Sequence, residues 1–133
     1  MGWGSMTDRE QIDGLLRGLY AARLHGDLDG MCKAFAEDAV FQIAGAGQVS
    51  AVSNRAVGLG EIRPLLAVMI KTFKLRDQVI QDILIDGMKA AVHWRAGVHS
   101  RITGTMALTE FVALVETRDG RITSYLEFFA PRA

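Results

Sequence analysis

The sequence predicts an α+β domain in which three helices pack on one face of a curved, largely antiparallel sheet. Three observations carry this reading. Apolar residues recur at helical spacing in the first quarter of the chain and again over 58–73, whereas the second half reads as one strand after another. Asp-Gly pairs at 86–87 and 119–120 interrupt that half as hairpin turns do. The chain has 133 residues, half of them apolar, which suffices for one core but not two. Without repeat, linker or low-complexity segment, residues 6–133 read as a single domain, and MGWGS (1–5) as an expression scar before Met6.

Each element has its own signal. Thr7-Asp8-Arg9-Glu10 is a capping-box pattern, and Ile12, Leu15, Leu16, Leu19 and Tyr20 follow on one helical stripe that Gly26 closes. A short second helix carries Leu28, Met31 and Phe35 on its apolar side and stops near Glu37-Asp38. AVFQI (39–43) is then a strand, and 44–57, with Gly45, Gly47, Ser50, Ser53 and Asn54, a loop. The third helix spans 58–73, with Pro64 limiting how far upstream it runs regularly. Strands follow over 76–85, 88–101, 105–117 and 121–129, joined by turns at Asp86-Gly87 and Arg118-Asp119-Gly120.

Composition excludes several classes of function. Lysine plus arginine equals aspartate plus glutamate at 15 each, so no net field favours nucleic acid or an anionic membrane. The longest apolar stretch, around Leu65–Ile70, is too short to span a bilayer. The single cysteine, Cys32, forms no internal disulfide, which suits a reducing cytoplasm, and its place in a helical pattern marks it as a packed thiol. His25, His93 and His99 lack a compact metal-ligand spacing, so no metal is expected.

Several stretches together resemble a known family. GDLDGMCKAFAEDAVFQIAG (26–45), GEIRPLL (60–66), the Asp-Gly hairpin before AAVHWR, and RDGRITSYLEFF (118–129) are similar to the nuclear transport factor 2 superfamily. Within it, the likeness is to SnoaL-like proteins, the group of polyketide cyclases, ketosteroid isomerase and limonene epoxide hydrolase. The resemblance covers Asp8 to Phe129 as many weak matches in order. It implies a cone, in which the curved sheet wraps round a mostly apolar pocket closed by helices, and it implies a homodimer.

Carried across residue by residue, the resemblance removes more chemistry than it supplies. The isomerase's carboxylate base falls on Ile43 and its oxyanion tyrosine on Leu19, one place from Tyr20. The epoxide hydrolase's water-holding tyrosine and asparagine fall on Phe41 and Ile43. Its arginine and first aspartate fall on His93 and Arg95, and its second aspartate on Glu127. Neither mechanism transfers, since Phe41 and Ile43 hold no water and abstract no proton.

What remains is an expected cluster of His93, Arg95 and Glu127 at the polar floor of the pocket. His93 and Glu127 would serve acid–base roles, with Arg95 stabilising negative charge on a ligand oxygen. Strand alternation adds Tyr125 and Phe129 to the face of Glu127, with Thr109 and Phe111 from the neighbouring strand; Tyr20, Phe41 and Ile43 complete the expected wall. Trp94 and Glu110 are expected on the outer face, as is His99 if a bulge sits near Gly97. The implied ligand is small, mostly apolar and oxygen-bearing, and the implied enzyme a cofactor-independent isomerase, cyclase or lyase. A binding or carrier module with no turnover, or a structural dimer acting through its sheet face, fits the same residues. His93 hydrogen-bonded to Glu127 as a purely structural group fits them equally.

Overall fold

The computed structural model describes residues 7–45 and 54–132. The expected scar with Met6, and positions 46–53 of the expected loop, lie outside the described residues. Helix α1 (Asp8–His25) starts where the capping box places it: Thr7 Oγ1 accepts from the Glu10 backbone N–H at 3.1 Å, and the Glu10 carboxylate accepts from the Thr7 N–H at 3.0 Å. It ends at Gly26 in the left-handed conformation, φ 68°. Helix α2 (Leu28–Cys32) is shorter than expected. Phe35 does not lie on it; strand β1 (Phe35–Gly45) begins at that residue, and Phe35 faces the core from the sheet.

Strand β2 (Asn54–Val57) corrects the end of the expected loop, for it pairs antiparallel with β1 from Val40↔Val57 to Ile43↔Asn54. Helix α3 (Leu59–Thr72) runs well upstream of Pro64, which sits in its interior. The missing N–H of Pro64 costs only the bond to the Gly60 carbonyl, and the first turn is held instead by Glu61 and Ile62 N–H donating to Gly58 O. The remaining strands are β3 (Phe73–Asp86), β4 (Lys89–Ser100), β5 (Met106–Arg118) and β6 (Arg121–Pro131). Asp119 and Gly120 both have positive φ, 53° and 76°, the type I′ geometry that an Asp-Gly hairpin favours. At the β3–β4 turn the central residues are Gly87 and Met88, and only Gly87 is at positive φ.

The six strands form one sheet in the order β2-β1-β6-β5-β4-β3. The β1–β6 pair is parallel and the others antiparallel, so the sheet is mixed. The three helices lie on one face, and the core fills the space between: Ile12, Leu16, Leu19 and Tyr20 of α1, and Ile62 and Leu66 of α3, meet Phe41, Val92, Ala113 and Ile122 of the sheet. Two stacked aromatic pairs anchor that contact, Trp94–Phe111 at 3.8 Å between ring centroids and Phe41–Tyr125 at 5.1 Å. Such pairs stabilise by about 1 kcal/mol each beyond the area they bury.

The parity of β4 reverses one expectation. Ala90, Val92, Trp94 and Ala96 are buried on the inner face, while Lys89, His93 and Arg95 point outward. Trp94 is therefore a core residue. The register of β4 with β5 runs unbroken from Lys89↔Glu116 to His99↔Met106, so Gly97 carries no bulge. The irregularities lie across from it on β3, between Arg76 and Val79 and between Ile80 and Asp82, where Asp77 adopts φ 52°.

This parity is testable by fluorescence, since the chain has two tryptophans, Trp3 and Trp94. In a Trp3→Phe variant, Trp94 emission should be blue-shifted and weakly quenched by acrylamide. Emission and quenching like those of free indole would mean that Trp94 faces solvent and that the β4 register is wrong.

Candidate functional site

Between the helices and the inner sheet face lies a cavity of about 390 Å³. Its walls come from α1, α2, α3 and every strand except β2, which is how the sheet must curl to enclose it. Apolar side chains form most of the surface: Met31, Ile43, Met69, Ile70, Leu75, Phe111 and Phe129. Ser100, Thr105 and Thr109 supply hydroxyls, that of Thr109 donating to the Ala107 carbonyl at 3.2 Å.

Among the described residues two charged ones reach the cavity, Arg23 of α1 and Glu127 of β6. They form a bidentate pair: Nη1 donates to Oε1 at 2.7 Å and Nη2 to Oε2 at 3.1 Å. The side chains are 12% and 1% exposed. The guanidinium also lies 5.0 Å from the Trp94 ring centre and 5.7 Å from that of Phe111, so the aromatic stack supports the cation. Burial would strip the proton from Arg23, but the adjacent Glu127 carboxylate outweighs it and holds the guanidinium charged well above its ordinary range.

Behind the pair runs a chain of hydroxyls. The Tyr125 hydroxyl donates to Glu127 Oε1 at 2.8 Å. Its one hydrogen being committed, it must accept from the Tyr20 hydroxyl, 2.8 Å away. The order Tyr20→Tyr125→Glu127 is thus fixed by the carboxylate. Burial, followed by the Glu127 charge, pushes both phenols far above the ordinary tyrosine range.

The expected site residues divide into three groups. Glu127, Ile43, Thr109, Phe111 and Phe129 line the cavity. Tyr20, Phe41 and Tyr125 are fully buried one layer behind the wall, where Tyr20 and Tyr125 act on Glu127 and Phe41 stacks on Tyr125. His93 and Arg95 are not in the cavity. They project from the opposite face of the sheet, because Trp94 takes the inner position between them.

On the outer face His93 Nε2 meets Glu110 Oε1 at 2.7 Å, and Arg132 meets Glu110 Oε2 at 2.9 Å. The His93 hydrogen bond, with the nearby Arg132 and Arg95 charges, holds the Glu110 carboxyl below its ordinary range. Glu127 therefore does not have His93 or Arg95 as its partner; it has Arg23. The sequence held a signal for this, since Arg23 falls three residues after Tyr20 and seven after Leu16, on the buried stripe of α1. A charge on such a stripe needs a buried counter-charge. Among the described residues no group of three or more His, Cys, Asp or Glu side chains could hold a metal ion. No described helix is long and apolar enough to cross a membrane.

The chain's two tyrosines are the two of this hydroxyl chain, which makes it directly observable. Their folded pKa values are raised, so they stabilise the fold fully below about pH 10, and that stability is lost as pH rises above the unfolded value toward the folded one. Absorbance at 295 nm should show no phenolate in the folded protein at pH 11, then both tyrosines ionising together with alkaline unfolding. Two independent ionisations near pH 10 in folded protein would contradict the buried chain.

Residues 16–125 match the family model of the SnoaL-like domain. The match stops two residues short of Glu127, so the carboxylate of the buried pair lies just outside it. A search of curated proteins returns no match. Solved structures share the fold at low identity. A Bacillus subtilis protein assigned as an isomerase superposes with a TM-score of 0.83 at 23% identity, over 94% of this chain and 90% of its own. An LEH-like epoxide hydrolase of M. tuberculosis gives 0.72 at 19%, over 91% and 84%. A Xanthomonas campestris protein assigned as a polyketide cyclase gives 0.70 at 23%, over 92% of each chain. With the family model spanning most of the chain and the cone-like α+β fold in common, the chain belongs to the SnoaL-like domain family.

Proposed function

We propose that the cavity binds a small, mostly apolar molecule bearing an oxygen function, and that the Arg23–Glu127 pair acts on that oxygen. The observation that carries this is one cavity of about 390 Å³, apolar along its walls, with a buried ion pair against it. Apolar burial supplies affinity, and the pair supplies orientation. Among the described residues, Glu127 Oε1 accepts from both Arg23 and Tyr125, whereas Oε2 accepts from Arg23 alone and keeps a lone pair able to take a proton. Arg23 keeps N–H groups that can stabilise charge developing on a ligand oxygen. Such chemistry is that of an isomerase, cyclase or lyase working without a cofactor, with Glu127 in the acid–base role and Arg23 in the place expected of Arg95.

A second reading has its own support. Three donors already converge on the Glu127 carboxylate and occupy three of its four lone pairs, which favours a binding or carrier module without turnover. Small molecules extracted from the purified protein and returned to it separate the two. If the pocket is catalytic, Glu127→Gln should lower conversion of the co-purifying molecule by about 100-fold or more while its affinity changes far less. Unchanged conversion removes Glu127 from any mechanism, and loss of affinity without any conversion in the native protein supports the carrier.

We also propose that the outer sheet face pairs two copies of the chain. Leu108, Val112 and Leu114 of β5 and Phe128 of β6 are 40–58% exposed there. His93, Val112 and Phe128 are cross-strand neighbours in one row, with Glu110, Arg95 and Arg132 beside them, a patch carrying both signs of charge. Light scattering should give a dimer that Leu114→Glu converts to monomer. A monomeric native protein would end this assignment.

A further inference from the structure

We infer that the Arg23–Glu127 edge facing the cavity reads an alcohol: it selects an uncharged ligand whose hydroxyl group accepts from Arg23 and donates to Glu127. This rests on the pocket reading above and names the ligand class of that site. The reasoning is a count of donors and acceptors. Arg23 has five N–H groups, and among the described residues two of them make hydrogen bonds, both to Glu127. Glu127 Oε1 is filled by Arg23 Nη1 and the Tyr125 hydroxyl, while Oε2 has one bond, from Nη2. The free lone pair of Oε2 and a free N–H of Nη2 therefore lie side by side, with the two heavy atoms 3.1 Å apart.

One hydroxyl group satisfies both at once, because its oxygen accepts while its hydrogen donates. Other oxygen functions do not. A ketone accepts from Arg23 but turns a second oxygen lone pair toward Oε2 with no hydrogen between them. A carboxylate meets the Glu127 charge, and an ammonium meets the Arg23 charge. Neither finds a free counter-charge, since the pair has already neutralised itself in a site that is 12% and 1% exposed. A hydrocarbon fits the walls but strands both polar groups from any water it displaces. Tyr125 contributes by occupying Oε1, which leaves Oε2 as the oxygen for the ligand. The cavity of about 390 Å³ holds about a dozen water-sized groups, so the alcohol carries a compact apolar body of that order.

A matched set on one scaffold tests this: tetralin, 2-tetralol, 2-tetralone, tetralin-2-carboxylate and the 2-aminotetralin cation. Binding is read from the 13C-methyl resonances of Met31 and Met69, which line the cavity. The alcohol should bind about tenfold or more tighter than tetralin, with the ketone between them and both ions weaker than the alcohol by at least that factor. In the double variant Arg23→Met/Glu127→Leu, which replaces the pair with apolar side chains of similar size, tetralin should still bind and the alcohol preference should fall to about one. Equal affinity of alcohol and tetralin in the native protein overturns the inference alone, as does tightest binding by the ketone or the carboxylate. So does an alcohol preference that survives in the double variant. If none of the five shifts Met31 or Met69, the pocket reading falls as well.

Discussion

The bidentate bond between Arg23 and Glu127 joins the last full turn of α1 to the centre of the sheet, and much of the inner architecture depends on it. Both groups are nearly removed from water, which is costly for each alone and tolerable only because each neutralises the other. The aromatic stack of Trp94 on Phe111 lies against the guanidinium, and the Tyr125 hydroxyl adds a second bond to Oε1, one of the two carboxylate oxygens that each take a single bond from Arg23. A change in any of these five side chains reaches the others. The cavity is charged at one place because that pair is there, and elsewhere mostly apolar because the sheet's inner positions carry aliphatic and aromatic residues, with the hydroxyls of Ser100, Thr105 and Thr109 among them.

The two faces of the sheet divide the labour. Inner positions along β5 read Thr109, Phe111, Ala113, Val115 and Thr117, all buried, and outer ones Leu108, Glu110, Val112 and Leu114. His93 and Arg95, which share a face by strand alternation, belong to the outer set and cluster with Glu110 and Arg132. Their chemistry in the single chain is that of a surface network: a carboxylate among cations, partly solvated and outside the cavity.

Most of the fold was legible in the sequence, and most of the charged site was not. The capping box, the left-handed Gly26 and the Asp-Gly turn at 119–120 are local devices whose geometry follows from residue type, so α1 and the β5–β6 hairpin were readable directly. The extent of α2 depends on Phe35 pairing with Ile122 of β6, and the existence of β2 on pairing with β1; both are non-local contacts that no local pattern announces. On β5 and β6 the two faces do not separate by polarity, since Leu108, Val112, Leu114 and Phe128 are exposed and Glu127 is buried; there the family resemblance places Glu127 inside and strand alternation carries its neighbours with it. On β4 alternation does separate them, with Ala90, Val92, Trp94 and Ala96 on one side and Lys89, His93 and Arg95 on the other. A relative's catalytic pattern and this alternation assign His93 and Arg95 to opposite faces, and the structure follows the alternation. The partner of Arg23 is over a hundred positions away, where no local pattern points to it, yet the place of Arg23 on the buried stripe of α1 already required one.

A double-mutant cycle on Arg23 and Glu127 in urea unfolding tests the central claim most directly. Arg23→Met alone and Glu127→Leu alone should each destabilise by about 3–5 kcal/mol, because each strands a buried charge. The double variant should recover most of that loss, leaving a coupling energy of several kcal/mol. Single variants that each cost under about 1 kcal/mol and simply add would contradict a buried, mutually dependent pair.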